Sequence, residues 1–202
     1  MVDEERATAR RATRARRLGR RYFDRDPDDV ARDLIGAVMR VRVGDARVHV
    51  RLTETEAYGG SDDEASHAHG GRSARNSSMF GPAGHLYVYR IYGMHWCMNV
   101  VTGRVGQAGA VLLRSADVEG VDVASSLRGP GLLTRFLGVT GADDGVDCCR
   151  ADSRLSFHST GGVGEVLRSP RIGISRERER PSRYYLAGAV VSRPRGRTDR
   201  TA

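Results

Sequence analysis

Lysine is absent from the 202 residues: every one of the 33 basic side chains is arginine. That removes the side-chain amine on which Schiff-base chemistry depends, because the arginine guanidinium stays protonated and is not nucleophilic. Cysteine is scarce as well. Cys97, Cys148 and Cys149 are too few for a disulfide framework, and none stands in Cys-x-x-Cys spacing, so the usual zinc and iron–sulfur patterns are missing. Reduced thiols in a cytosolic protein are the expectation. No apolar run approaches the roughly 18 residues of a membrane helix, and the first residues lack the apolar core of a signal peptide. A cytoplasmic protein with no membrane partner follows as the expectation.

Positive charge is plentiful. The formal net charge is +8, with 29% charged and 39% apolar residues, and the arginines crowd the two ends. A GC-rich genome also replaces Lys by Arg, but a basic soluble chain points first to nucleic acid or another polyanion. Arginine suits that partner, since it grips phosphate through two bonds and stacks on bases. The length is that of one domain with a proper core. Residues 1–20 carry charge without periodic apolar positions and read as a disordered Arg-rich arm. Residues 21–195 read as a single domain in which order begins near Tyr22-Phe23, and 196–202 as a flexible tail.

Within the domain, Asp26-Pro27-Asp28-Asp29 is a helix start: an N-cap, Pro at the first helical position and acids on the positive end of the dipole. The helix runs through Val30, Ala31, Leu34 and Ile35 and stops at Gly36. Residues 37–43 and 46–57 alternate apolar and polar around Gly44-Asp45, which predicts a hairpin. Alternation puts Glu54 and Glu56 on the same inward face as Val48, Val50 and Leu52. Two carboxylates there need a reason, unless the strand has already left the core. Residues 85–92 and 94–101 form a second hairpin whose tip, Tyr92-Gly93-Met94, is apolar where turns are normally polar. Residues 109–114 form a buried strand ending on Arg114. A helix over 128–139 uses Leu132, Leu133, Phe136 and Leu137 as its core stripe. Residues 140–165 hold weak strands at most, and 169–175 and 184–192 are closing strands. The fold class is mixed α/β (α+β): one domain around a curved, largely antiparallel sheet with a protruding β-hairpin.

The chemistry concentrates between Thr53 and Arg114, which hold four of the seven Tyr, four of the six His and the only Trp. His67-Ala68-His69 is a weak metal signal, with no Cys or carboxylate pattern at ligand spacing to complete it. The glycine pairs at 59–60 and 70–71 open no helix, so neither is a phosphate-binding loop. Nothing around Ser77, Ser78 or Cys97 makes a nucleophile. A glutamate leaving a strand beside Tyr58, with Arg114 ending another, suits a general base with a cationic neighbour. Glu54 and Glu56, about 7 Å apart at ~3.4 Å per residue, also leave a two-acid glycosidase geometry open.

The segments TETEAYGG, DEASHAHGGR, RNSSMFGPAGHLYVYRIYGMHWCMNV and GAVLLR resemble the alkyladenine (3-methyladenine) DNA glycosylases of the mammalian type. RDPDDVARDLIG, RGPGLL and SPRIGIS extend the likeness over about residues 21–192. The resemblance implies a monofunctional base-excision enzyme, without metal or cofactor, acting as a monomer on double-stranded DNA in the bacterial cytosol or nucleoid. It makes Glu56 the base that activates water, with Arg114 and the backbone carbonyl of Ile172 holding that water. Tyr58 stacks on one face of a flipped purine, His67 and Tyr89 lie on the other, and Asn99 stands where a guanine amino group clashes. Tyr92 fills the gap in the duplex, with Met94 beside it at the tip. A non-catalytic binder of damaged DNA on the same fold is the alternative, against which an intact Glu56 and Arg114 argue.

Overall fold

The structure is a computed structural model describing residues 15–119, 127–161 and 164–193. Most of the Arg-rich arm and all of the 196–202 tail lie outside these residues. Order starts earlier than Tyr22: β1 (Arg16–Arg17) pairs with β7 (Leu155–Ser159), and the one-turn α1 (Arg20–Phe23) follows. The start of α2 (Pro27–Asp33) is as expected, with the Asp26 side chain accepting the Asp28 N–H at 2.8 Å and Pro27 at the first position. Its last turn is shorter than expected, closing at Leu34, and Gly36 sits at φ 80° where the chain reverses into the sheet.

The sheet has nine strands, every described pair antiparallel. Its spine is β3 (Ala46–Tyr58). The first half of β3 pairs with β2 (Val38–Val43), as the alternation predicts. Its second half lies between β6 (Ala110–Val118) and β9 (Arg183–Leu186). Beyond β6 come β5 (His95–Val101) and β4 (Leu86–Ile91), while β8 (Val166–Ser169) extends β9.

Each face of the sheet has its own cluster. The main core gathers Val50, Leu52, Ala57, Val88, Met98, Val111 and Leu113 with Val30, Ala31 and Leu34 under α2. The Thr55 hydroxyl donates to the Ala31 carbonyl at 2.8 Å and fastens α2 to β3. The smaller cluster, on the opposite face, contains Tyr87, Val101 and Ala110, with Tyr89 packed against it.

Four expectations need correction. The segment after Thr140 contains a fully embedded strand, β7, held between β1 and β2, because long-range pairing overrides its polar surroundings. Arg114 lies within β6, which continues to Val118. The helix after Gly129, α3 (Pro130–Phe136), buries Leu133 and Leu137. Leu132 turns toward a cleft and Phe136 is 39% exposed, so the stripe is half as wide as its sequence implies. Finally, residues 170–175 form an irregular strap, not a strand.

Candidate active site

Strict alternation would leave Glu54 and Glu56 on the core face with Leu52. A double irregularity prevents this. Leu52 faces Ala116 and Glu54 faces Ser115, so β3 carries one extra residue; Thr55 then faces Leu113, so β6 carries one in return at Arg114. Each strand flips its pleat there, as bulges do. Thr55 and Ala57 return to the core, while Glu54 and Glu56 turn to the other face, with Leu112 and Asn99 in register beside Glu56. The expectation of a shared inward face is therefore wrong, and the bulge is the reason.

On that face both carboxylates are fully buried and share Arg114. Arg114 Nε donates to Glu54 Oε1 at 3.1 Å and Nη1 to Glu56 Oε2 at 3.0 Å. Glu54 also accepts from Arg183 Nε (2.7 Å), the Ser115 hydroxyl (2.6 Å), and the Ser192 N–H (2.8 Å) and hydroxyl (2.7 Å). Burial alone would push its carboxyl up, but the Arg114 charge and the serine hydrogen bonds outweigh it and hold the group below its usual value. Five donors exceed the about four lone-pair positions of a carboxylate.

Glu56 is bonded more sparingly. Oε2 accepts from Arg114 and from the Tyr58 hydroxyl at 3.0 Å, and Oε1 from the Ile172 N–H at 2.7 Å. Burial, then the neighbouring Glu56 charge, raises the Tyr58 phenol well above its ordinary value, so it stays a donor. These three donors line the floor of a cleft of about 1700 Å³, with Glu56 directly beneath them.

The walls are aromatic. The His67 and Tyr89 rings meet edge-on with centroids 4.6 Å apart, and Tyr87 lies 5.2 Å from Tyr89. His67 Nδ1 is 2.9 Å from the Tyr87 hydroxyl, and burial followed by the Arg75 charge lowers the His67 pKa, favouring the neutral ring. Asn99 Nδ2 donates to the Tyr87 carbonyl at 3.0 Å, which fixes its amide at the cleft wall. Under Tyr58, Arg171 is locked to Asp63 through bonds of 2.6 and 2.8 Å.

The mouth of the cleft belongs to the β4–β5 tip. Tyr92 is 76% and Met94 67% exposed, and Tyr92 takes φ 50°, a conformation that costs a side-chain-bearing residue roughly 1–2 kcal/mol. Arg75, Arg90, Arg128, Arg176 and Arg178 line the same opening.

The methylpurine-DNA glycosylase family profile matches residues 21–190. The chain belongs to the methylpurine-DNA glycosylase family. Similar relatives include provisionally named 3-methyladenine DNA glycosylases of Frankia casuarinae (44% identical, covering 86% of this chain and 91% of the relative) and Koribacter versatilis (41%, 85% and 90%). A third, from Rhodococcus jostii, is 43% identical over 80% of this chain and 78% of its own.

In this glycosylase the fold brings Arg114, Ile172, Tyr58, His67, Tyr89 and Asn99 to one cleft, with Tyr92 at its mouth and Glu56 buried beneath Arg114, Ile172 and Tyr58. Ile172 reaches it from the strap, presenting its N–H to Glu56. Sequence reasoning misses the supports: Glu54 as an anchor, Arg183 and Ser192 around it, and the Asp63–Arg171 pair. Arg171 adjoins Ile172 within SPRIGIS, and Asp63 stands in an acidic run between turns. Those positions are the only local signal.

Proposed function

We propose that this DNA glycosylase is monofunctional, flipping alkylated or otherwise damaged purines of the 3-methyladenine type out of duplex DNA and hydrolysing their N-glycosidic bond. The observation that carries the reading is Glu56: a buried carboxylate held by three donors that line an aromatic cleft, with acceptor capacity left over. In this reading Glu56 takes a proton from a water held by Arg114 and the Ile172 carbonyl. The water oxygen attacks the sugar carbon, the carbon–nitrogen bond breaks, and the bond pair leaves with the base. An alkylated purine carries a positive charge, so it departs neutral without a second acid, which is why Glu54 can be given over entirely to support.

Tyr58 stacks on the flipped base, His67 and Tyr89 close the opposite side, and Asn99 excludes the guanine amino group. Stacking contributes roughly 1–3 kcal/mol per base. Tyr92, with Met94, fills the vacated stack, and the arginines at the mouth meet phosphates. A monomer working on duplex DNA in the cytosol completes the reading. A non-catalytic binder on this fold would have no use for a buried base beside a water site.

The test is single-turnover incubation with duplexes that each carry one alkylated or deaminated purine, scoring abasic sites. Glu56→Gln keeps the shape and removes the base, so excision falls by about 100-fold or more while lesion binding survives. Near-normal excision by that variant refutes the assignment.

A further inference from the structure

Tyr58 lines the cleft with one side of its ring, and under the ring lies the Arg171 guanidinium, its central carbon 4.6 Å from the ring centroid. This is no surface cation. The side chains of Arg171 and Asp63 have no exposure, and neither residue lines the cleft. Arg171 holds Asp63 with both terminal nitrogens, and one of them also donates to the Ala57 carbonyl at 3.0 Å. Asp63 accepts in addition from the Gly59 and Ala65 N–H groups at 2.9 and 3.1 Å. The pair thus sets the Arg171 charge against the Tyr58 ring, with Asp63 bound to its two terminal nitrogens. A buried ion pair is often no more stabilising than apolar residues of the same volume, so stability alone does not account for one here.

We infer that the Asp63–Arg171 pair is a positioning and specificity element that sets, through the Tyr58 ring, how strongly the cleft favours a cationic over a neutral base. The inference rests on the proposed stacking of the flipped base on Tyr58. A cation is drawn to the negative face of an aromatic ring. A cation already held behind the ring opposes a second one stacked in front, and with a stack of about 3.5 Å the two charges lie about 8 Å apart. Asp63, bonded to the guanidinium, offsets part of that repulsion. Removing the Asp63 charge alone therefore leaves the cleft more hostile to a cationic base, whereas removing both charges relieves it. A pair that only held the strap in place would weaken charged and neutral lesions alike.

Equilibrium binding of short duplexes carrying either one 3-methyladenine, which is cationic and lacks the guanine amino group, or one hypoxanthine, which is neutral, reads the difference. The Glu56→Gln background keeps each base attached. Coulomb's law at a buried site's effective dielectric predicts that Asp63→Asn lowers the cationic-to-neutral affinity ratio by about tenfold. The same estimate has Arg171→Met combined with Asp63→Asn raise it by about threefold. Ratios that stay put, or move in the same direction in both variants, overturn the inference. Should Asp63→Asn alone fail to fold, the double variant decides: a raised ratio supports the role and an unchanged or lowered one ends it. Excision from the same duplexes by protein with Glu56 intact tests the glycosylase reading separately, since the binding ratios do not depend on turnover.

Discussion

Glu54 and Glu56 stand two residues apart on β3, share Arg114, and are equally buried, yet their surroundings differ. Glu54 is saturated by two arginines and two serines and lies where β3, β6 and β9 meet. Glu56, with three donors, keeps capacity for one more partner and lies under the cleft floor. Burial by itself therefore does not separate the proposed general base from its support. What distinguishes Glu56 is spare hydrogen-bonding capacity directly beneath donors that line a space a substrate can enter.

The largest effect should come from the saturated partner. Glu54→Ala leaves Arg114 and Arg183 buried without their shared anion, which should cost about 3–5 kcal/mol of folding stability. Thermal unfolding checks this, and a melting temperature close to wild type would break the contrast. Glu56→Gln should do the reverse: the ~100-fold loss of excision corresponds to roughly 2.7 kcal/mol of barrier, with the melting temperature little changed.

Tyr92 sharpens the comparison from the exposed side. Because it is open to solvent at a hairpin tip, Tyr92→Ala should leave stability alone and weaken binding to a lesion-bearing duplex by about tenfold, the lower end of a ~1–3 kcal/mol stack. Binding equal to wild type would mean that the wedge lies elsewhere.

Acid should erode the supports. Burial opposes ionisation of Glu54 and Asp63, but the arginines and hydrogen bonds outweigh it and depress both carboxyls below their ordinary 4.5 and 3.8. A depressed folded pKa contributes stability that is complete above the unfolded value and is lost as pH falls through the folded one. The melting temperature should hold down to about pH 5 and fall below it, by that same linkage; a rise in acid would contradict the assignment. The smallest effect expected is none: with no lysine in the chain, borohydride added during turnover should trap no protein–DNA adduct. A covalent adduct would identify a nucleophile other than water.

Parts of this molecule are legible residue by residue. Asp26-Pro27 starts α2 because capping is a local interaction, and the alternation around Gly44-Asp45 and across Tyr92-Gly93-Met94 predicts both hairpins because each strand's partner is its sequence neighbour. Strand β7 is not legible, since its partners lie more than 100 residues away and its flanks are polar. The strap at 170–175 misleads for a related reason. Its alternation suggests a strand, but Asp63 takes the Arg171 side chain and Glu56 the Ile172 N–H.

By itself the sequence determined the family, the residue types of the cleft and the two hairpins, all matters of local pattern and motif. Which way the two glutamates face was decided only in the tertiary structure. A period of two assigns faces correctly until one residue is inserted, and the insertion at Thr53 and Arg114 exists only in the register between β3 and β6. The different surroundings of Glu54 and Glu56 follow from that register, because Arg183 and Ser192 reach Glu54 from strands and loops that meet it only in the folded chain.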